Sequence, residues 1–219
     1  MPGVLRRGLR VTREGNVVDT DRDVKVAVVY YSRFGSVAAM AQAVAEGCRR
    51  VPGAEVLLYR IGEEPPPELA DLRAADALVV GTPAYFGNAA SPALSFFETL
   101  LSGQVGAKVE GRAPWWHQMF QDKVGAAFVS CGAEHAGSEH ALQAVLRLMM
   151  HLGMVVVTPG LPEPMFVEHR SPYGAVAVAG PGGDRPPNLT ELDAARELGE
   201  RVATVAMWLR LGRIAAMTP

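Results

Sequence analysis

The sequence predicts an α/β fold: a doubly wound sheet of five parallel strands in the order 2-1-3-4-5, with helices on both faces. Three observations carry this. Short β-branched and apolar runs alternate with longer segments whose apolar residues recur at helical spacing, the pattern of successive strand–helix units. The short runs are almost continuously apolar, as strands covered on both faces must be. Polar, glycine-bearing turns follow the first, third and fourth runs, at the strand ends where such sheets bind ligands.

The first strand is Val26-Ala27-Val28-Val29-Tyr30-Tyr31, about 25–31. The turn Ser32-Arg33-Phe34-Gly35 leads to a helix over 36–50, with Val37, Met40, Ala41, Val44, Ala45 and Cys48 on one face. Pro52-Gly53 ends it, and Glu55 to Ile61 reads as the second strand. Pro65-Pro66-Pro67 is a stiff connector before a short helix around 68–74. The third strand is Asp76 to Gly81, stopped by Thr82-Pro83. Ser91-Pro92 opens the next helix in the position proline favours, with Phe96, Phe97, Leu100 and Leu101 as its apolar face. Gly103 to Gln121 has no period and is a loop carrying Trp115, Trp116 and His117. Lys123 to Ser130 is the fourth strand and Ser138 to Leu152 a helix. Met154 to Thr158 is the fifth strand, and Pro159 to Asn188 a Gly/Pro-rich segment. Thr190-Glu191-Leu192-Asp193 has the form of a capping box for a last helix running to about Leu209.

Composition narrows the function classes. At 219 residues, with 49% hydrophobic and 20% charged residues, one soluble globular domain is the expectation. The division is an extension at 1–23, a domain at 24–212 and a tail at 213–219. A net charge of −2 gives no basis for nucleic-acid binding or for a carrier that docks by charge. Two cysteines, Cys48 and Cys131, make no disulfide framework and fit a reducing cytoplasm. No apolar run approaches the roughly 18 residues that suggest a membrane span. Arg6, Arg7, Arg10 and Arg13 lack the apolar stretch of a secretory signal. His135 and His140, with Glu134 and Glu139, lack a zinc spacing, and no metal is expected.

The chemistry is expected in three loops. Ser32 to Val37 lies between a strand and a helix, where unpaired amides and the helix dipole favour an anion. No P-loop motif and no GxGxxG follow the first strand, which argues against a nucleoside triphosphate or a Rossmann-bound dinucleotide. The second loop, Gly81-Thr82-Pro83-Ala84-Tyr85-Phe86-Gly87-Asn88, joins glycines to aromatics, and the third, Ser130-Cys131-Gly132-Ala133-Glu134-His135-Ala136-Gly137, is also glycine-bearing. Phosphate amides at one end and a slot for a flat ring at the other describe a site for FMN.

Tyr30-Tyr31-Ser32-Arg33-Phe34-Gly35, Gly81-Thr82-Pro83-Ala84-Tyr85-Phe86-Gly87-Asn88, Gly153-Met154-Val155-Val156-Val157 and Ser171-Pro172-Tyr173-Gly174-Ala175 resemble the WrbA-type NAD(P)H:quinone oxidoreductases over residues 24 to 210. The resemblance implies a flavodoxin-like FMN enzyme, usually a homotetramer (or a dimer), that passes two electrons from NAD(P)H to a quinone. It implies that Ser32, Arg33, Phe34, Gly35, Ser36 and Val37 hold the FMN phosphate. Pro83, Ala84, Tyr85 and Phe86 would border the isoalloxazine, with Gly87 and Asn88 shaping the turn. Ser130, Cys131, Gly132 and Ala133 would line its other edge. Trp115 would face the flavin and stack on substrate, and Phe34, Tyr85 and His135 are expected to bind substrate with it. One open ring face serving both substrates implies a ping-pong mechanism.

The chain also departs from that family. Ala84-Tyr85 replaces Thr-Arg, removing a cation on the nicotinamide side; Phe34 replaces a tyrosine. Leu152 stands where a histidine approaches FMN, and Ala133-Glu134-His135-Ala136 replaces a glycine-rich loop. Val105 to Pro114 reads as an insertion. The alternatives are an FMN or azo-compound reductase on the same fold, a non-enzymatic flavodoxin-like carrier or redox-responsive module, and a scaffold without FMN.

Overall fold

A computed structural model describes residues 9–11, 17–19, 23–63, 66–105, 119–160 and 170–217. Within the expected extension, β1 (Leu9–Val11) and β2 (Val17–Asp19) pair as an antiparallel hairpin. The domain proper begins with β3 (Val24–Tyr30), α1 (Ser36–Arg49), β4 (Ala54–Arg60) and α2 (Leu69–Ala74). It continues through β5 (Ala77–Tyr85), β6 (Asn88–Ala89), α3 (Ser91–Val105) and β7 (Val124–Cys131). It ends with α4 (Ser138–His151), β8 (Val155–Val156), β9 (Arg170–Ser171), β10 (Gly174–Val178) and α5 (Leu189–Met217).

The main sheet runs β4-β3-β5-β7-β10, every neighbouring pair parallel, which is the expected 2-1-3-4-5 order. Three two-residue strands add to it: β6 on β5, β8 on β7 and β9 on β10. Each face buries one apolar layer. Val26, Val28, Val79, Ala126 and Phe128 pack under α1 and α5. Val29, Val80 and Val129 pack under Leu72 of α2, Phe96 of α3 and Leu142 of α4. At roughly 25 cal/mol per Å² of apolar surface removed from water, these layers drive the fold.

Five expectations need correction. The fifth strand is not Met154–Thr158. Val155–Val156 pairs only with the start of β7 (Val124, Gly125), and the strand beside the end of β7 is Gly174–Val178, paired with Phe128 to Cys131. Two separate segments therefore share one lane of the sheet. Second, β5 does not stop at Thr82-Pro83 but runs to Tyr85. The Gly81 carbonyl accepts from the Tyr31 amide, so Pro83, two residues on, faces the same edge. There β3 has ended, and a missing N–H leaves no ladder bond unmade. Third, α5 continues past Leu209 to Met217. Fourth, the capping box sits two residues earlier. Asn188 Oδ1 accepts from the Glu191 amide at 2.9 Å and Glu191 Oε2 accepts from the Asn188 amide at 2.7 Å. α3 also takes up Gly103 to Val105, the start of the expected loop. Trp115, Trp116 and His117 lie outside the described residues.

Candidate active site

The carboxyl ends of β3, β5, β7 and β10 open on one cleft of about 260 Å³. Parallel pairing aligns those four strand ends, so each following turn delivers backbone groups to the same edge of the sheet. Ser32, Arg33, Phe34, Ser36 and Val37 line it from the first turn; Pro83, Ala84 and Tyr85 from the second; Ser130, Cys131 and Gly132 from the third. A fourth wall, Ala179 to Gly183, follows β10.

The first turn is built around Ser32, which is 3% exposed. Its Oγ accepts from the Gly35 amide at 3.2 Å and the Ala38 amide at 3.3 Å. Gly35 takes φ 101°, which an L side chain adopts only with strain. The first amides of a helix have no intrahelical acceptor. Ser36 and Val37, at the start of α1, line the cleft, and such a helix start suits an anion. From outside the turn, Arg60 Nη2 donates to the Ser32 carbonyl at 2.8 Å and Nη1 pairs with Glu63 at 2.7 Å. The guanidinium of Arg33 lies 5.4 Å from the centre of the Phe34 ring.

The second turn is rigid. Thr82, fully buried, donates through Oγ1 to the Pro83 carbonyl at 3.0 Å and accepts from the Ala90 amide at 3.0 Å. Tyr85 pairs with Asn88 across Phe86 and Gly87, which have φ of 52° and 76°. Two positive φ values make a type I′ hairpin, and phenylalanine at the first of them is strained. Phe86 is fully exposed at the tip, and neither it nor Gly87 and Asn88 line the cleft. Tyr85 does, with its hydroxyl enclosed and lacking a hydrogen-bond partner among the described residues. Burial, then the neighbouring Tyr31, pushes its pKa up, so it stays a neutral phenol. A buried hydroxyl left unpaired costs about 1–3 kcal/mol.

In the third turn Cys131 donates through Sγ to the Ala177 carbonyl at 3.6 Å, and burial raises its pKa. It is a packed thiol, not a poised nucleophile. Ala133 and His135 do not line the cleft; His135, at φ 59°, lines a neighbouring hollow that shares only Cys131 with it. The fourth turn was missed because its strand was missed. The signal is Val176-Ala177-Val178-Ala179 running into Gly180-Pro181-Gly182-Gly183, the same strand-then-glycine grammar as the first three.

The comparisons with known proteins agree with this architecture. A family model described as NADPH-dependent FMN reductase matches residues 69–163. The chain is 36% identical over 215 residues to the NAD(P)H dehydrogenase (quinone) of Solidesulfovibrio magneticus, covering 85% of this chain and 100% of that protein. This chain belongs to the NAD(P)H dehydrogenase (quinone) family. Another member, from Paracoccus denitrificans, is 38% identical over 214 residues, covering 86% of this chain and 96% of that one. Among solved structures, the flavodoxin, WrbA-like protein from Agrobacterium tumefaciens superposes with a TM-score of 0.63 at 26% identity, covering 85% of this chain and 99% of its own. Within the NAD(P)H dehydrogenase (quinone) family, this chain's cleft has the features that a phosphate-bearing planar cofactor requires. The first residues of α1, Ser36 and Val37, line one end of it, and Pro83–Tyr85 and Ser130–Gly132 line the rest.

Proposed function

We propose that the chain binds FMN in this cleft and catalyses two-electron transfer from NAD(P)H to a quinone by a ping-pong mechanism. One observation carries the reading above the others: the start of α1 at Ser36 and Val37 shares a cleft with Pro83–Tyr85 and Ser130–Gly132. Ser32 and Gly35 shape the turn, the Ser36 hydroxyl anchors it to the Arg185 carbonyl, and the Ser36 and Val37 amides hold the phosphate, flanked by Arg33 and Phe34. Pro83, Ala84 and Tyr85 border one side of the ring, and Ser130, Cys131 and Gly132 the other. Gly180 to Gly183 form a wall facing Phe34; a Cβ on Gly183 would lie 3.0 Å from Phe34 Cδ2. Phe86, Gly87, Asn88 and Ala133 act from outside, by fixing the turns. FMN, when bound, supplies hydride acceptance from a nicotinamide and reduction of a quinone. The protein places both substrates at the same open mouth, which Tyr85 borders as a neutral phenol.

NAD(P)H and quinone then use that mouth in turn. Initial rates measured with NAD(P)H varied at several fixed quinone concentrations should give parallel double-reciprocal lines; intersecting lines would contradict the shared site. Cytoplasmic residence and a homotetramer (or dimer) complete the proposal. An exposed apolar stripe on α5 (Trp208, Leu211 and Ile214) supports self-association. No helix among the described residues is long and apolar enough to cross a membrane.

A further inference from the structure

Glu191 is the most completely buried charged side chain among the described residues, with no exposed surface, yet it lies outside the cleft. Carboxylates enter a protein interior only when their oxygens are well paired. Oε1 accepts from the Val178 amide at 2.8 Å and from Arg185 Nη2 at 2.6 Å, and Oε2 accepts from the Asn188 amide at 2.7 Å. One group thus ties together the last residue of β10, the turn leaving it and the start of α5. A helix cap alone would use only the Asn188 bond; the other two hold the turn.

That turn touches the phosphate loop twice. The Ser36 hydroxyl donates to the Arg185 carbonyl at 3.4 Å. Gly183 packs against Phe34, at a distance where a Cβ would sit 3.0 Å from the ring. The Arg185 amide donates back to the Ala179 carbonyl at 2.9 Å, closing the turn on itself. The path from the buried carboxylate to the anion site therefore has two links: Glu191 to Arg185, and Arg185 to Ser36.

We infer that Glu191 is a positioning residue for the phosphate end of the cofactor site, acting through Arg185 to anchor Ser36, whose amide opens α1, and to set the wall over Phe34. Substituting it loosens the grip on a phosphate while leaving the ring slot, built by β5 and β7, in place. The inference rests on the FMN reading above.

The test compares FMN with riboflavin, the same ring without phosphate, by fluorescence titration of the full-length chain freed of flavin. Wild type should hold FMN more tightly than riboflavin. Glu191→Gln should weaken FMN about tenfold and riboflavin by no more than twofold, narrowing the ratio between them. Arg185→Met should narrow the ratio in the same direction, by at least threefold in FMN affinity, and it decides the matter alone if Glu191→Gln does not fold. Equal weakening of both flavins would show a role in general stability and overturn the inference; so would unchanged FMN affinity in both variants. Wild type that takes up neither flavin would instead overturn the FMN reading beneath it.

Discussion

Ser36→Asp is expected to expel FMN from the cleft while leaving the chain folded. Ser36 is the first residue of α1, and its amide is one of the two that face the proposed phosphate. A carboxylate there occupies the anion's place. Two unit charges 4 Å apart repel by about 4 kcal/mol at an effective dielectric of 20, so FMN affinity should fall by roughly a thousandfold. The same carboxylate complements the helix dipole, worth about 0.3–1 kcal/mol. That gain nearly offsets the lost bond to the Arg185 carbonyl, itself about 1 kcal/mol. Ser36 is 7% exposed, so the flavin-free variant should still melt cooperatively but below wild type. Quinone reduction should disappear with FMN uptake, and retained FMN binding would remove the phosphate from this turn.

The largest effect on stability is expected at Gly199. α1 and α5 cross so closely that a Cβ on Gly199 would lie 2.0 Å from the Val44 carbonyl oxygen, and one on Gly47 1.9 Å from the Arg196 carbonyl oxygen. In an open helix, Gly→Ala stabilises by about 0.5–1 kcal/mol. At this crossing the sign reverses, because backbone rather than a flexible side chain must yield. Overpacking of that kind costs about 3 kcal/mol. Gly199→Ala should lower the unfolding free energy by that amount, read in urea as a lower midpoint at unchanged slope. A shift below 1 kcal/mol, or a gain, would mean the helices separate freely. The crossing also matters to the site, since α5 carries Glu191 at its opposite end from Met217.

The strands, helices and three of the four cleft walls were legible because they depend on local pattern. A buried strand has to be apolar, and a turn that presents amides has to be short and polar. What escaped was set by partners distant in sequence. Gly174-Ala175-Val176-Ala177-Val178 is a short run of small residues inside a Gly/Pro-rich stretch, and only the free edge at the end of β7 makes it a strand. Pro83 reads locally as a stop; it is tolerated because β3 has already ended beside it. Both Asn188-x-x-Glu191 and Thr190-x-x-Asp193 fit a capping pattern. The carboxylate that also reaches Val178 and Arg185 is the one buried. Phe86 reads as a ring-facing aromatic, but the hairpin register turns it outward and leaves Tyr85 in the cleft.

The most direct test of the central claim is visible absorbance of the purified chain through one reaction cycle without oxygen. One FMN per chain should bind and show the oxidised flavin bands. NAD(P)H should bleach them, and a quinone added after the nicotinamide is exhausted should restore them fully. A chain that takes up no FMN, or whose bound flavin is bleached by NAD(P)H but not recovered by a quinone, would contradict the account.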